Sequence, residues 1–115
     1  MLKSNNHVDF SLETANSDTI ILCIHGVLGS PGQFQTFAKL LHEYNFSIKS
    51  ILLPGHGGMG KEFASTKSET WQAYVDQEII NLKQKYKYVF LIGHSLGGLL
   101  ALNTSLTQSI NGIIL

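Results

Sequence analysis

The 115-residue sequence predicts an α/β fold: a mostly parallel sheet with helices on both faces, in a single domain. Three observations carry the prediction. Apolar runs rich in Ile and Leu recur without polar alternation, as strands do when both their faces are covered. Between them lie stretches with apolar residues at three- and four-residue spacing, the pattern of amphipathic helices. The two kinds of segment alternate along the chain, the order that right-handed βαβ crossovers produce.

Residues 1 to 18 are polar, and the alternating "HVDFSLE" predicts one edge strand. "TIILCIHG" (19 to 26) follows as a strand bounded by glycine. Ser30 offers an N-cap, Pro31 a first helical residue, and Phe34, Phe37, Leu40, Leu41 and Tyr44 form the apolar face of a helix over 31 to 44. "FSIKSILLP" (46 to 54) predicts the next strand, and "GHGGMGKEFAST" (55 to 66) a glycine-rich loop without periodicity. Ser68 is placed to cap a second helix whose apolar face is Trp71, Tyr74, Val75, Ile79 and Leu82. "YKYVFLIG" (86 to 93) is a third strand, and 95 to 108 a helix apolar on nearly all sides and hence expected at the centre. "INGIIL" (110 to 115) begins a fourth core strand.

Composition excludes several function classes. The chain is 43% hydrophobic and 14% charged, with zero formal net charge, which suits a packed core rather than disorder. All eight basic residues are lysines, scattered apart from Lys83, Lys85 and Lys87 at a helix end, so no nucleic-acid footprint exists. No apolar run is long enough for a membrane span, and the N-terminus has no apolar signal core. Cys23 is the only cysteine and lies in an apolar run, which favours a reducing compartment; the expected location is cytoplasmic. His25, His56 and His94 are irregularly spaced and no paired-cysteine motif occurs, so neither a metal nor a cofactor is expected.

Catalytic groups of an open α/β sheet collect at the carboxyl ends of its strands. Two such ends carry glycine-rich turns, "HGVLGSPG" (25 to 32) and "GHSLGG" (93 to 98), and both are expected at the same sheet edge. With 11 glycines and 11 serines, a bare G-x-S-x-G arises by chance in roughly one such sequence in ten. Its place between a buried strand and a helix gives the pattern meaning. The backbone must reverse sharply at Ser95, so the flanking Gly93 and Gly97 are forced close together and have no room for side chains. Leu96 opens the helix, where amides lack acceptors and the dipole favours negative charge. A hydroxyl beside such a donor suits acyl transfer. In the other turn, Gly26 lets the chain bend so that the Val27 amide serves as a second donor. Ordinary strand-to-helix turns remain the alternative for both segments.

"HGVLGSPGQF", "LLPGHGGMG" and "LIGHSLGG" together resemble the N-terminal half of an α/β-hydrolase, nearest to small carboxylesterases and monoacylglycerol lipases. The resemblance spans roughly residues 19 to 115 and keeps the family's motif order. It implies Ser95 as nucleophile and Val27 and Leu96 as backbone oxyanion donors. Gly26, Gly93, Gly97 and His25 then shape the site, the "PGHGG" loop is structural, and the substrate is a small-molecule ester. Thioesterase, lactonase and peptidase chemistry remain open on the same fold. His94 adjoins the serine, but neighbouring side chains diverge at a sharp turn, which makes it a poor general base.

The family order is serine, acid, histidine. After Ser95 the sequence contains no Asp, Glu or His. The expectation is therefore the N-terminal part of a longer hydrolase, nearly inactive alone and prone to self-association through its C-terminal strand. A non-catalytic hydrolase-like binding module is the remaining alternative.

Overall fold

The alternation of apolar runs and helical stretches is realised as a five-stranded sheet. The computed structural model describes residues 7–57 and 60–115, so Gly58 and Met59 of the glycine-rich loop lie outside it. The strands are β1 (Phe10–Leu12), β2 (Thr19–Ile24), β3 (Ser47–Ile51), β4 (Tyr88–Gly93) and β5 (Gly112–Ile114). Their order across the sheet is β1-β3-β2-β4-β5, antiparallel only at β1–β3. The polar "HVDFSLE" segment thus supplies the edge strand its alternation predicts.

β2 occupies the centre because its two sets of side chains both find apolar partners. Ile20, Leu22 and Ile24 pack with Val89 and Leu91 against one layer of helices, α3 (Ser68–Lys85) and α4 (Leu96–Ser105). Ile21 and Cys23 point the other way, onto Ile48, Ile92, Phe34 and Ala38. That second face is covered by a 3-10 turn (Pro31–Phe34) leading into α1 (Gln35–Glu43). Helices therefore flank both faces. Lys49 of β3 pairs with Glu78 of α3 at the margin of the first layer. Among the described residues, no helix is long and apolar enough to cross a membrane.

Four expectations are corrected. The helix over 31 to 44 is two pieces, and its 3-10 opening advances about 120° per residue against about 100° for an α-helix. The phase slips, so Ala38 is buried while Phe37, Leu40 and Tyr44 are exposed. Ser68 is the first residue of α3 and not its cap: Lys67 holds that position, without a side-chain hydrogen bond. Within the loop 55 to 66 lies α2 (Gly60–Ser65), too short for periodicity to reveal; its Phe63 stacks on Trp71 with ring centroids 5.7 Å apart. Finally, α4 and β5 are not central. Leu99, Leu102 and Leu106 lie on the outer side of α4, and Ile114 and Leu115 are exposed. Apolar composition measures what a segment needs to bury, and here only one side of each finds a partner among the described residues.

Candidate active site

β2 and β4 lie side by side and parallel, with Ile24 paired to Gly93, so their two glycine-rich turns leave the sheet at the same level. The His94 amide donates to the Ile24 carbonyl at 3.1 Å, continuing the ladder one step into the turn. Ser95 then takes φ 56° and ψ −115°. A residue with a side chain pays about 1–3 kcal/mol for such a backbone, and it persists only where surrounding packing enforces it.

The packing is visible in the glycines. A Cβ on Gly93 would lie 2.6 Å from the Gly97 carbonyl group. One on Gly97 would collide with the Ile24 carbonyl and stand 2.7 Å from that of His25. α4 thus begins pressed against the backbone of β2, which leaves Ser95 at the crest of the turn and exposed. Gly26 brings the second turn in: its Cβ position is 3.1 Å from both the Ser95 Cβ and the His94 Nδ1.

Two peptide groups are oriented by what holds their carbonyls. The Ser95 carbonyl accepts from Gly98 (2.9 Å) and Leu99 (3.2 Å), and so points down the helix. Among the described residues all peptides are trans, so the Leu96 N–H, on the far side of the same planar group, points back out of the helix start. The Gly26 carbonyl likewise accepts two bonds, from the Gly29 amide at 2.9 Å and from His25 Nδ1 at 2.8 Å. The Val27 N–H is therefore turned away from the body of its loop. Two amides are left facing outward on turns that touch beside a serine hydroxyl, an arrangement suited to an oxyanion.

His25 is fully buried, and its tautomer follows from its partners. The Leu53 amide donates to Nε2 at 3.0 Å, so the proton resides on Nδ1 and is given to Gly26. Burial, aided by the neighbouring His56, lowers its pKa to about 4, against the raising effect of the Gly26 bond. His25 is thus a neutral strut joining the ends of β2 and β3. His56 stacks near it, ring centroids 4.9 Å apart, with Phe63 and Trp71 around it. Pro54 O accepts from both His56 Nδ1 and Trp71 Nε1, at 3.2 and 2.8 Å. Burial keeps the His56 pKa below its ordinary value. These histidines are committed to structure. His94 is exposed, and among the described residues no hydrogen bond joins its ring to Ser95.

Every site residue expected from sequence therefore meets at one edge: Ser95, Leu96, Gly93 and Gly97 on one turn, and His25, Gly26 and Val27 on the other. Asp9 also reaches this edge, because antiparallel β1 starts where β3 ends, and it accepts from the Leu52 amide at 2.7 Å. Three strand spacings, about 14 Å, separate β1 from β4, so it is no partner for Ser95. Sequence reasoning missed Leu28, which has φ 56° and is exposed. Glycine or asparagine would have signalled a left-handed residue; leucine gives no such signal. Among the described residues, no group of three or more His, Cys, Asp or Glu is arranged to hold a metal.

A thermostable monoacylglycerol lipase from Bacillus sp. (strain H-257) is 29% identical over 87 residues, covering 76% of this chain and 35% of the lipase. A carboxylesterase from Bacillus subtilis (strain 168) is 29% identical over 98 residues, 84% of this chain and 40% of the esterase. A solved structure from work on LipS and LipT, two metagenome-derived lipolytic enzymes, superposes with a TM-score of 0.85 at 22% identity. It covers 97% of this chain and 46% of its own. The chain thus spans less than half the length of each of these relatives. Residues 21–115 match the alpha/beta hydrolase family, and the chain belongs to that family.

Proposed function

We propose that this chain carries the nucleophile and the oxyanion donors of a serine hydrolase that cleaves carboxylic esters through an acyl-enzyme. The observation that carries the reading is Ser95 in a strained, exposed turn, with a second turn so close that a Cβ on Gly26 would lie 3.1 Å from that of Ser95. In the reaction, Ser95 Oγ bonds to the ester carbonyl carbon and the carbonyl electrons move to oxygen. The Val27 and Leu96 N–H groups stabilise that oxyanion. The serine proton passes to a base and then to the departing alcohol as the tetrahedral intermediate collapses. Water repeats the sequence on the acyl-enzyme, releasing acid and restoring Ser95. Named similarity to a monoacylglycerol lipase and a carboxylesterase supports an ester, and thioester or lactone acyl groups suit the same chemistry.

The reaction also needs a base and an acid to orient it, and neither stands at the family's usual place in this sequence. After Ser95 there is no Asp, Glu or His, and His25 is locked as a strut. That shortage is also what favours a second reading, a non-catalytic binding module. The Cys23 thiol, pushed up to about 12 by burial, is inert and suits the reducing cytoplasm.

Hydrolysis of a p-nitrophenyl ester and fluorophosphonate labelling test both readings. The isolated chain is expected to show at most the residual rate that an oxyanion hole and binding leave, about 10³–10⁴ over water, and that rate should survive Ser95→Ala. Vigorous turnover would mean that these residues already hold a base. Failure to label Ser95 even where a base and acid are supplied would favour the binding module.

A further inference from the structure

Leu28 combines a backbone set by the Gly26–Gly29 turn with a side chain that the fold does not bury. Its backbone is left-handed, with φ 56°, a conformation that glycine adopts freely and asparagine tolerates but leucine does not. Its side chain is 67% exposed, beside a Val27 that is 52% exposed. The turn that displays them is fixed from beneath. Gly26 O holds the Gly29 amide and the His25 ring, and a Cβ on Gly29 would stand 2.6 Å from Gln33 Oε1 and 3.0 Å from Gly26 O. Pro31, two residues on, is buried. A rigid pair of apolar side chains is thus held in water within three residues of Gly26, which packs on Ser95. The turn accounts for this backbone but not for a leucine where glycine would fit without strain, and an exposed apolar side chain kept there points to a ligand.

We propose that Val27 and Leu28 form one wall of an acyl-chain site, with Leu28 the specificity-determining residue that favours unbranched aliphatic acyl groups over acetyl. The inference rests on the ester-hydrolase reading. An oxyanion donor touches the acyl group's own oxygen, so the side chains of its turn flank the acyl chain through both halves of the reaction. The alcohol has left by the second. A wall of this kind contacts the chain on one side only, while the other side stays open to water or to further polypeptide.

The test uses the whole 115-residue chain and the product-like probes acetate, butanoate, hexanoate and octanoate, followed through the leucine and valine methyl NMR signals. Leu28 and Val27 methyls are expected to shift saturably, with affinity rising about two- to threefold per methylene, less than full burial of a CH₂ would give. Leu28→Asn, which tolerates the left-handed backbone, should lower octanoate affinity to that of butanoate, and Leu28→Gly should do the same without lowering Tm. Equal affinity for butanoate and octanoate, shifts confined to the methyls of Leu41, which lies beside Phe37 and Phe90, or a lower Tm in Leu28→Gly would overturn the proposal. Fluorophosphonate labelling of Ser95 where a base and acid are supplied reports separately, so octanoate binding without labelling there sinks the hydrolase reading alone.

Discussion

The carboxyl edge at the ends of β2 and β4 and the lateral side at β5 are built to opposite standards. At the edge, backbone presses on backbone: Gly97 on Ile24, Gly93 on Gly97, Gly26 on Ser95. Its buried His25 has hydrogen-bond partners for both ring nitrogens. At β5 the last strand has one neighbour, and apolar surface lies open on both faces of the sheet. Leu99, Leu102 and Leu106 line one face. On the other, a hollow of about 230 Å³ is lined by Phe37, Leu41, Phe46, Phe90, Ile92 and Ile114. The difference separates what the chain completes with its own residues from what it leaves for another surface. The position of Ser95, the proposed nucleophile, belongs to the first kind, so it needs nothing from the second to be set.

The largest effect should come from two adjacent glycines. Gly97→Ala drives a methyl into two backbone carbonyls, which cannot move without separating α4 from β2. A loss of about 3 kcal/mol or more in urea unfolding is expected. At Gly98 the nearest atom to an added Cβ is the flexible tip of Leu115, at 3.1 Å. Gly98→Ala should gain up to about 1 kcal/mol from helix propensity. Equal effects of the two substitutions would dissolve the contrast between the packed edge and the open side, because Gly98 faces β5.

The pH dependence of stability sharpens the same contrast. Above about pH 6.5, His25 is neutral both folded and unfolded. Between about 6.5 and 4 the unfolded chain binds a proton that the folded chain refuses, so stability falls as pH falls, and levels off below about 4. The loss should reach at most about 3 kcal/mol, and His56 adds to the slope in the same direction. His25→Gln should flatten the profile in urea midpoints between pH 7 and 4, at the cost of lower stability at neutral pH. A profile unchanged by that substitution would place the acid sensitivity elsewhere.

This division also explains what was legible in the sequence. The strand and turn around Ser95 were readable because their constraints are local: a turn after "YVFLIG" leaves no room at Gly93 and Gly97, whatever else the protein contains. The His25-Gly26-Val27 segment could be read for the same reason. Leu28 could not, since its conformation follows from the Gly26–Gly29 turn, and leucine has no preference for it. The errors at α4 and β5 have a different origin. "LLALNTSL" and "INGIIL" are apolar, but whether apolar residues are buried depends on neighbours that composition does not specify. α1 failed by phase alone, its 3-10 opening having rotated the predicted face partly into the open hollow.

The smallest effect on folding, and the most direct probe of the open side, is expected from Leu99→Lys with Leu106→Lys. Both side chains are exposed, Leu106 at 82%, so unfolding of the monomer should change by no more than about 0.5 kcal/mol. Association is another matter. An unpaired strand edge flanked by apolar surface invites pairing with a second copy. Sedimentation of the unmodified chain over a concentration series should therefore show reversible self-association, weakened at least tenfold by the two lysines. A wild-type chain that remains monomeric at every concentration would mean that water tolerates the β5 side. The contrast with the nucleophile edge would then be one of packing density, with no interface implied. Association that persists undiminished in the double variant would assign it to the hollow beside Phe37 and Phe90, on the opposite face of the same strand.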